Sequence, residues 1–187
     1  MDIKEAYAQS ADRARQLIAG TGADQLDSES PCKDWSARDL VNHLIGGQFL
    51  FSGAAAGQPM SDMSAGAPDF TADDPVAAHR AGSDASMSAF SSPMLADNMA
   101  ELPFGTIPAA MVPGLACFEQ VIHGWDLARA TGQDPAMPVE AVEALLPFAE
   151  QFLANVPRDG HAFGPIVAVP DDAPAIDRLL GLTGRTP

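Results

Sequence analysis

Positive charge is scarce in this chain: ten Lys plus Arg stand against twenty-five Asp plus Glu, a formal net charge of −15 over 187 residues. Phosphate contacts need a basic surface, so the balance argues against nucleic-acid binding and equally against docking to anionic membranes. A surface this acidic is a solvated one and points to no particular partner. Long apolar runs are missing as well, and none approaches the ~20 residues that span a bilayer. The opening Met1-Asp2-Ile3-Lys4-Glu5 has no apolar stretch and no cleavage site, so no signal peptide is expected. Cysteine is limited to Cys32 and Cys117. Two thiols make no disulfide framework, which predicts a reduced, cytoplasmic protein with both as small buried apolar side chains. There is also no glycine-rich phosphate loop after a strand, no nucleophile elbow, no Cys-x-x-Cys pair and no internal repeat.

What is present is enough for one well-filled core, at 47% hydrophobic residues, and short for two. Sixteen Gly and sixteen Pro fall between periodic segments, as in a helical protein with long connections. Ile3, Tyr7, Ala11, Ala14, Leu17 and Ile18 predict a first amphipathic helix over 2–19, ended by Gly20 and Gly22. Ser36 with Asp39 resembles a capping box, with Asp in place of Glu, and opens a second helix running to about Gly57. Gln58 to Asp74 has no period and reads as a surface loop. Asp73 or Asp74 before Pro75 starts a third helix over 75–91, the weakest on pattern. Met99 to Phe104 reads as a short extended piece. A fourth helix ends at Gly132, with its start left open: either Thr106 caps it and Pro113 kinks it, or it begins near Pro113. A fifth helix is expected over 138–155, and an extended tail from Phe163 to Pro174 opens a last short helix to Leu182. The fold is therefore all-α: a helix bundle over 1–135, with a helical and extended C-terminal addition, 136–187, packed on the same domain.

The most informative segment is Glu119-Gln120-Val121-Ile122-His123-Gly124-Trp125-Asp126. Glu119, His123 and Asp126 are four and three residues apart, so on a helix they share one face. The residues between them are mostly apolar, which places that face against the interior. Two acids and an imidazole there would be expensive to bury with nothing bound, and a divalent cation would remove the expense. Bundles build metal sites from facing stripes, and the second helix offers His43 within an apolar stretch, with Asp39 on the same face. Two imidazoles and a carboxylate suit zinc, and nickel, iron or manganese also fit such a trio; three ligands leave an open position for water or substrate. Asp126 could fill a fourth position, hold His123 by a hydrogen bond, or pair with Arg129; the supporting role is favoured. By themselves these residues also fit a satisfied core histidine and ordinary helical surface pairing. Cys117 lies about 200° around the helix from Glu119 and should point away. His79, beside Arg80, is expected to face solvent, and His161 to sit in a loop that could close over a site.

With these residues laid out, the chain resembles a known family. Cys32-Lys33-Asp34-Trp35-Ser36-Ala37-Arg38-Asp39-Leu40-Val41-Asn42-His43-Leu44 is similar to the opening of the second helix in DinB-like metal-binding four-helix bundles. Glu119-x-x-x-His123-Gly124-Trp125-Asp126-Leu127-Ala128-Arg129-Ala130-Thr131-Gly132 resembles the signature of their actinobacterial branch, which is grouped with the N-terminal domain of mycothiol-dependent maleylpyruvate isomerase. Phe163-Gly164-Pro165, Asp171-Asp172-Ala173-Pro174 and Gly184-Arg185 resemble the tail of its single-domain members. The resemblance implies a four-helix bundle holding one divalent metal through His43, Glu119 and His123, the trio that spacing also selects. Characterised members use a low-molecular-weight thiol such as mycothiol. The chain is too short for much of the isomerase's second domain. Two functions are expected to compete. One is a metal-dependent thiol transferase or isomerase acting on an electrophilic substrate. The other is a non-catalytic metal-binding or stress-related bundle, acting in storage, sensing or stability as a homodimer.

Overall fold

Asp2 opens α1 (Ile3–Ala19), accepting from the backbone N–H groups of Lys4 and Glu5 at 2.8 and 2.9 Å, while Glu5 accepts from the Asp2 N–H at 3.1 Å. Donors that helix geometry leaves orphaned are satisfied reciprocally. Ser36 and Asp39 form the expected capping box for α2 (Ala37–Ala55). Asp74 caps α3 (Pro75–Phe90) through the Ala77 N–H at 2.9 Å, with Pro75 at the first position, where no N–H is needed. The computed structural model describes residues 1–59, 68–154, 156–158 and 163–187. His161 and the middle of the Gln58–Asp74 loop lie outside the described residues.

The extended piece after α3 is half of an antiparallel hairpin: β1 (Met99–Leu102) pairs with β2 (Gly105–Pro108), Ala100 opposite Ile107. Ala100 and Leu102 turn inward while Met99 and Glu101 turn out, the two-residue alternation of a half-buried strand. The Thr106 cap is overturned, because Thr106 lies in β2. A short turn, Ala109–Met111, leads into α4 (Val112–Thr131), so Pro113 sits in the first turn and the alternative start near Pro113 holds.

Helices α1 to α4 form the four-helix bundle, α4 and α3 each packing on both α1 and α2. α5 (Val139–Leu153) covers α1 and α4, and α6 (Ala175–Thr183) lies on α5. Enclosed on these sides, α4 is buried nearly all round, from Val112 through Ala128. Leu40, Leu44, Ile45, Val121 and Leu127 are part of the core around its middle.

His79 corrects an expectation, since it is fully buried and does not face solvent. Its stripe on α3 is His79, Gly82, Ser86 and Phe90, at steps of three and four residues. Small and polar residues there let α3 approach α2 closely, a pattern that hydropathy does not register. His79 Nε2 donates to Gln120 Oε1 at 2.9 Å, Gln120 Nε2 to the Leu44 carbonyl at 3.2 Å, and Gln48 Nε2 to the His79 carbonyl at 3.1 Å. Tyr7 donates its hydroxyl to Gln48 Oε1 at 2.5 Å, extending the buried network to α1.

The C-terminal tail turns on Gly184, which ends α6 at φ +87° and would place a Cβ 2.9 Å from Gly164 Cα. Only glycine meets both demands cheaply. Gly184→Ala is expected to lower stability by about 2 kcal/mol, through left-handed backbone strain and displacement of the Gly164 strand of chain. Urea denaturation tests this; a loss below about 0.5 kcal/mol, the scatter of ordinary surface substitutions, would contradict it.

Candidate metal centre

The site is assembled by one turn of α2, two turns of α4 and the loop ahead of α2. On α4, Glu119 and His123 project from the same face, while the α2 capping box fixes where His43 emerges opposite them. Glu119 Oε2 accepts from His43 Nε2 at 2.6 Å and lies 3.3 Å from His123 Nε2. One donor atom from each of the three residues falls within 4.8 Å of the others. Side-chain exposure declines from 37% at His43 through 25% at Glu119 to 15% at His123, so the group opens to solvent on the α2 side.

The electrostatics couple these groups tightly. Burial pushes the Glu119 carboxyl up, but His123 and His43 outweigh it and hold the carboxyl well below the usual range. Burial disfavours charge on His123, yet Glu119, Asp126 and Cys32 together raise it well above an ordinary histidine. The face therefore carries a carboxylate clamped between two imidazoles.

Asp126 is fully buried behind His123 and accepts from His123 Nδ1 at 3.0 Å. Burial raises its carboxyl, but the bonds from His123 and Arg185 bring it down to about 2. Of the alternatives for Asp126, the pairing with Arg129 does not form; Arg129 lies over the Trp125 ring at 5.5 Å. The partner is Arg185, whose Nε and Nη2 donate to the two carboxylate oxygens at 2.7 Å each. Asp39 stays with Ser36, at 2.6 Å from its hydroxyl, and does not join His43, Glu119 and His123.

Cys32 was expected as a buried apolar side chain and instead reaches the site. Its thiol donates to Asp126 Oδ2 at 3.1 Å, lies 3.6 Å from His123 Nδ1 and accepts from Arg185 Nη2 at 3.3 Å. The loop achieves this through a tight turn: the Trp35 N–H bonds the Cys32 carbonyl at 3.1 Å, with Asp34 at φ +65°, a conformation Asp tolerates. That turn also lays Trp35 against both histidines, near-parallel to His123 at 5.7 Å and edge-on to His43 at 4.8 Å. Cys117, as expected, points away and contacts Ser10 at 3.7 Å. Trp35 immediately precedes the α2 cap at Ser36, a local signal for its place beside the site, whereas nothing local ties Cys32 to Asp126. Arg185 is 59 residues from Asp126, and no local pattern links them.

Above the three donors opens a cavity of about 380 Å³, walled by Trp35, Phe118 and Phe163, with Lys33 and Arg185 on its lining. Its wall is mixed, with the aromatic rings facing the polar side chains of Lys33, His43, Glu119, His123 and Arg185, and its volume lies within the range of small-molecule clefts.

The description "Mycothiol maleylpyruvate isomerase N-terminal domain" matches residues 7–128, a span that contains His43, Glu119, His123 and Asp126. The chain belongs to that family. Two uncharacterized proteins of Mycobacterium tuberculosis, from strains CDC 1551 and H37Rv, are each 32% identical over 191 residues, covering 100% of this chain and 99% of theirs. The crystal structure of a variant of mycothiol-dependent maleylpyruvate isomerase superposes with a TM-score of 0.56 at 14% identity, covering 82% of this chain and 70% of that one. The helical fold is thus shared with the isomerase. Among the described residues, no helix is long and apolar enough to cross a membrane.

Proposed function

We propose that His43, Glu119 and His123 hold one divalent cation and that the protein is a transferase or isomerase working with a low-molecular-weight thiol such as mycothiol. The observation that carries this reading is the convergence of two imidazole nitrogens and a carboxylate on the floor of a cavity, with Asp126 committed elsewhere. The donor set fits zinc by type, and nickel, iron or manganese fit the same mixture. The metal-binding bundle spans 1–135 in this reading, with 136–187 an extension packed on it. Family membership and the mycothiol-dependent isomerase's shared fold support the choice of thiol. Two free cysteines fit a reduced, cytoplasmic setting in which such a thiol is available.

A divalent cation bound here supplies Lewis acidity that lowers the pKa of a thiol and so produces a nucleophile near neutral pH. The chain's own residues do the rest. Asp126 holds His123 by its Nδ1–H and turns Nε2 toward Glu119 and His43. Trp35 packs against both imidazole rings, and Phe118 and Phe163 supply apolar surface to the cavity wall. Lys33 at the lining offers charge to an acidic electrophile. The thiolate sulfur would then bond an electrophilic carbon of an unsaturated acid, epoxide or halide. With an unsaturated acid the C=C π bond breaks, with an epoxide a C–O bond breaks, and in both the thiol's proton returns to the new carbanion or alkoxide. With a halide the C–halogen bond breaks, halide leaves and the proton passes to solvent. The non-catalytic alternative needs a closed site, and the engagement of Asp126 by Arg185 together with the cavity supports the catalytic reading.

The test is calorimetric titration of zinc-loaded protein with mycothiol, followed by NMR assays with those three electrophile classes. Binding near one equivalent, absent in zinc-free protein, is expected. Failure to bind mycothiol or any comparable thiol would sink the thiol chemistry.

A further inference from the structure

Arg185 is the third residue from the C-terminal end, yet its side chain is only 11% exposed and grips the fully buried Asp126 with two 2.7 Å bonds. Bidentate guanidinium–carboxylate pairs fix a carboxylate's plane as well as its charge. Asp126 Oδ2, held by Arg185 Nη2, is the same oxygen that accepts from His123 Nδ1. A third bond from Nη2 reaches Cys32 Sγ at 3.3 Å, tying the loop that carries Trp35 to the same guanidinium. Gly184, by turning at φ +87° against Gly164, delivers Arg185 to this spot.

We propose that Arg185 is a positioning residue for the metal centre: acting through Asp126, it orients His123, so that the C-terminal tail completes the site. This rests on the reading that His43, Glu119 and His123 hold the cation. Without the guanidinium, a buried carboxylate loses its main counter-charge and is free to rotate, and His123 turns with it. Outer partners of metal-bound histidines are worth 10–100-fold in affinity as a rule. Lys is no substitute, since a point charge cannot engage both oxygens in one plane.

The experiment measures zinc affinity by competition with a chromogenic chelator for wild type, Arg185→Met, Arg185→Lys, Asp126→Asn and the Asp126→Asn/Arg185→Met double variant. Unfolding in urea with EDTA is recorded alongside. Arg185→Met is expected to weaken zinc about 10–100-fold and Arg185→Lys at least about threefold. In the Asp126→Asn background, Arg185→Met should add less than about twofold, because the two act in series. A purely structural tail would lower the urea midpoint and leave zinc affinity unmoved. Affinity within twofold of wild type in folded Arg185→Met overturns the proposal, and if that variant does not fold, Arg185→Lys decides by the same criterion. An undiminished effect of Arg185→Met in the Asp126→Asn background overturns it too. Absence of zinc binding in wild type is a different result, which removes the underlying metal reading.

Discussion

Free zinc at about a thousand times its dissociation constant is expected to raise the wild-type unfolding midpoint by about 10 °C, and that of Glu119→Ala by less than about 2 °C. Binding to the native state alone stabilises by about 4 kcal/mol at that excess. For a chain of this length each kcal/mol moves the midpoint by about 2–4 °C. Glu119 is the carboxylate common to both histidine contacts, at 2.6 and 3.3 Å, so its removal leaves two imidazoles without the bridging charge. Burial disfavours charge on His123, but Glu119, Asp126 and Cys32 raise its pKa well above the ordinary value, so a cation binding there would compete with a proton. The zinc-induced shift should accordingly shrink as pH falls from 8 to 6. Differential scanning calorimetry with and without zinc reads both effects. Equal shifts in wild type and Glu119→Ala would contradict the assignment.

Acid should destabilise the protein through a residue outside the group formed by His43, Glu119 and His123. Burial lowers the pKa of His79 from 6.5 to about 4, the bond it donates to Gln120 opposing this only in part. Its Nδ1 is a buried side-chain nitrogen with no hydrogen-bond partner among the described residues. Between these two pKa values the unfolded chain binds a proton that the native state refuses. Stability from this group is therefore complete above about pH 6.5 and is lost as pH falls toward 4, by about 3 kcal/mol in all. His79→Gln removes the titration while keeping a polar side chain beside Gln120. Urea denaturation at pH 7 and pH 4 should show wild type losing about 3 kcal/mol more than His79→Gln. Parallel losses would mean that His79 is protonated in the native state or contacts water.

Those two sites show where sequence reading succeeds and where it stops. The trio His43, Glu119 and His123 was legible because helix spacing puts two donors on one face and bundle packing puts the third opposite. The caps were legible for a similar reason: Ser36 with Asp39, Asp74 with Pro75, and Gly132 each act within a few residues of sequence. His79 was misjudged because its stripe is made of Gly and Ser, which pack by being small and not by being apolar. Arg185 and Cys32 were missed because their partner, Asp126, is 59 and 94 residues away, and only the folded chain brings them together. The second strand of the hairpin was overlooked for want of its partner's register, which the turn at Pro103-Phe104 sets.

The most direct measurement is the metal content of purified protein after zinc incubation and desalting, for wild type beside His43→Ala, Glu119→Ala and His123→Ala. About one equivalent in wild type, and little or none in each variant, is the predicted result. Wild type without metal, or variants that retain a full equivalent, would contradict a divalent-cation site built from these three side chains.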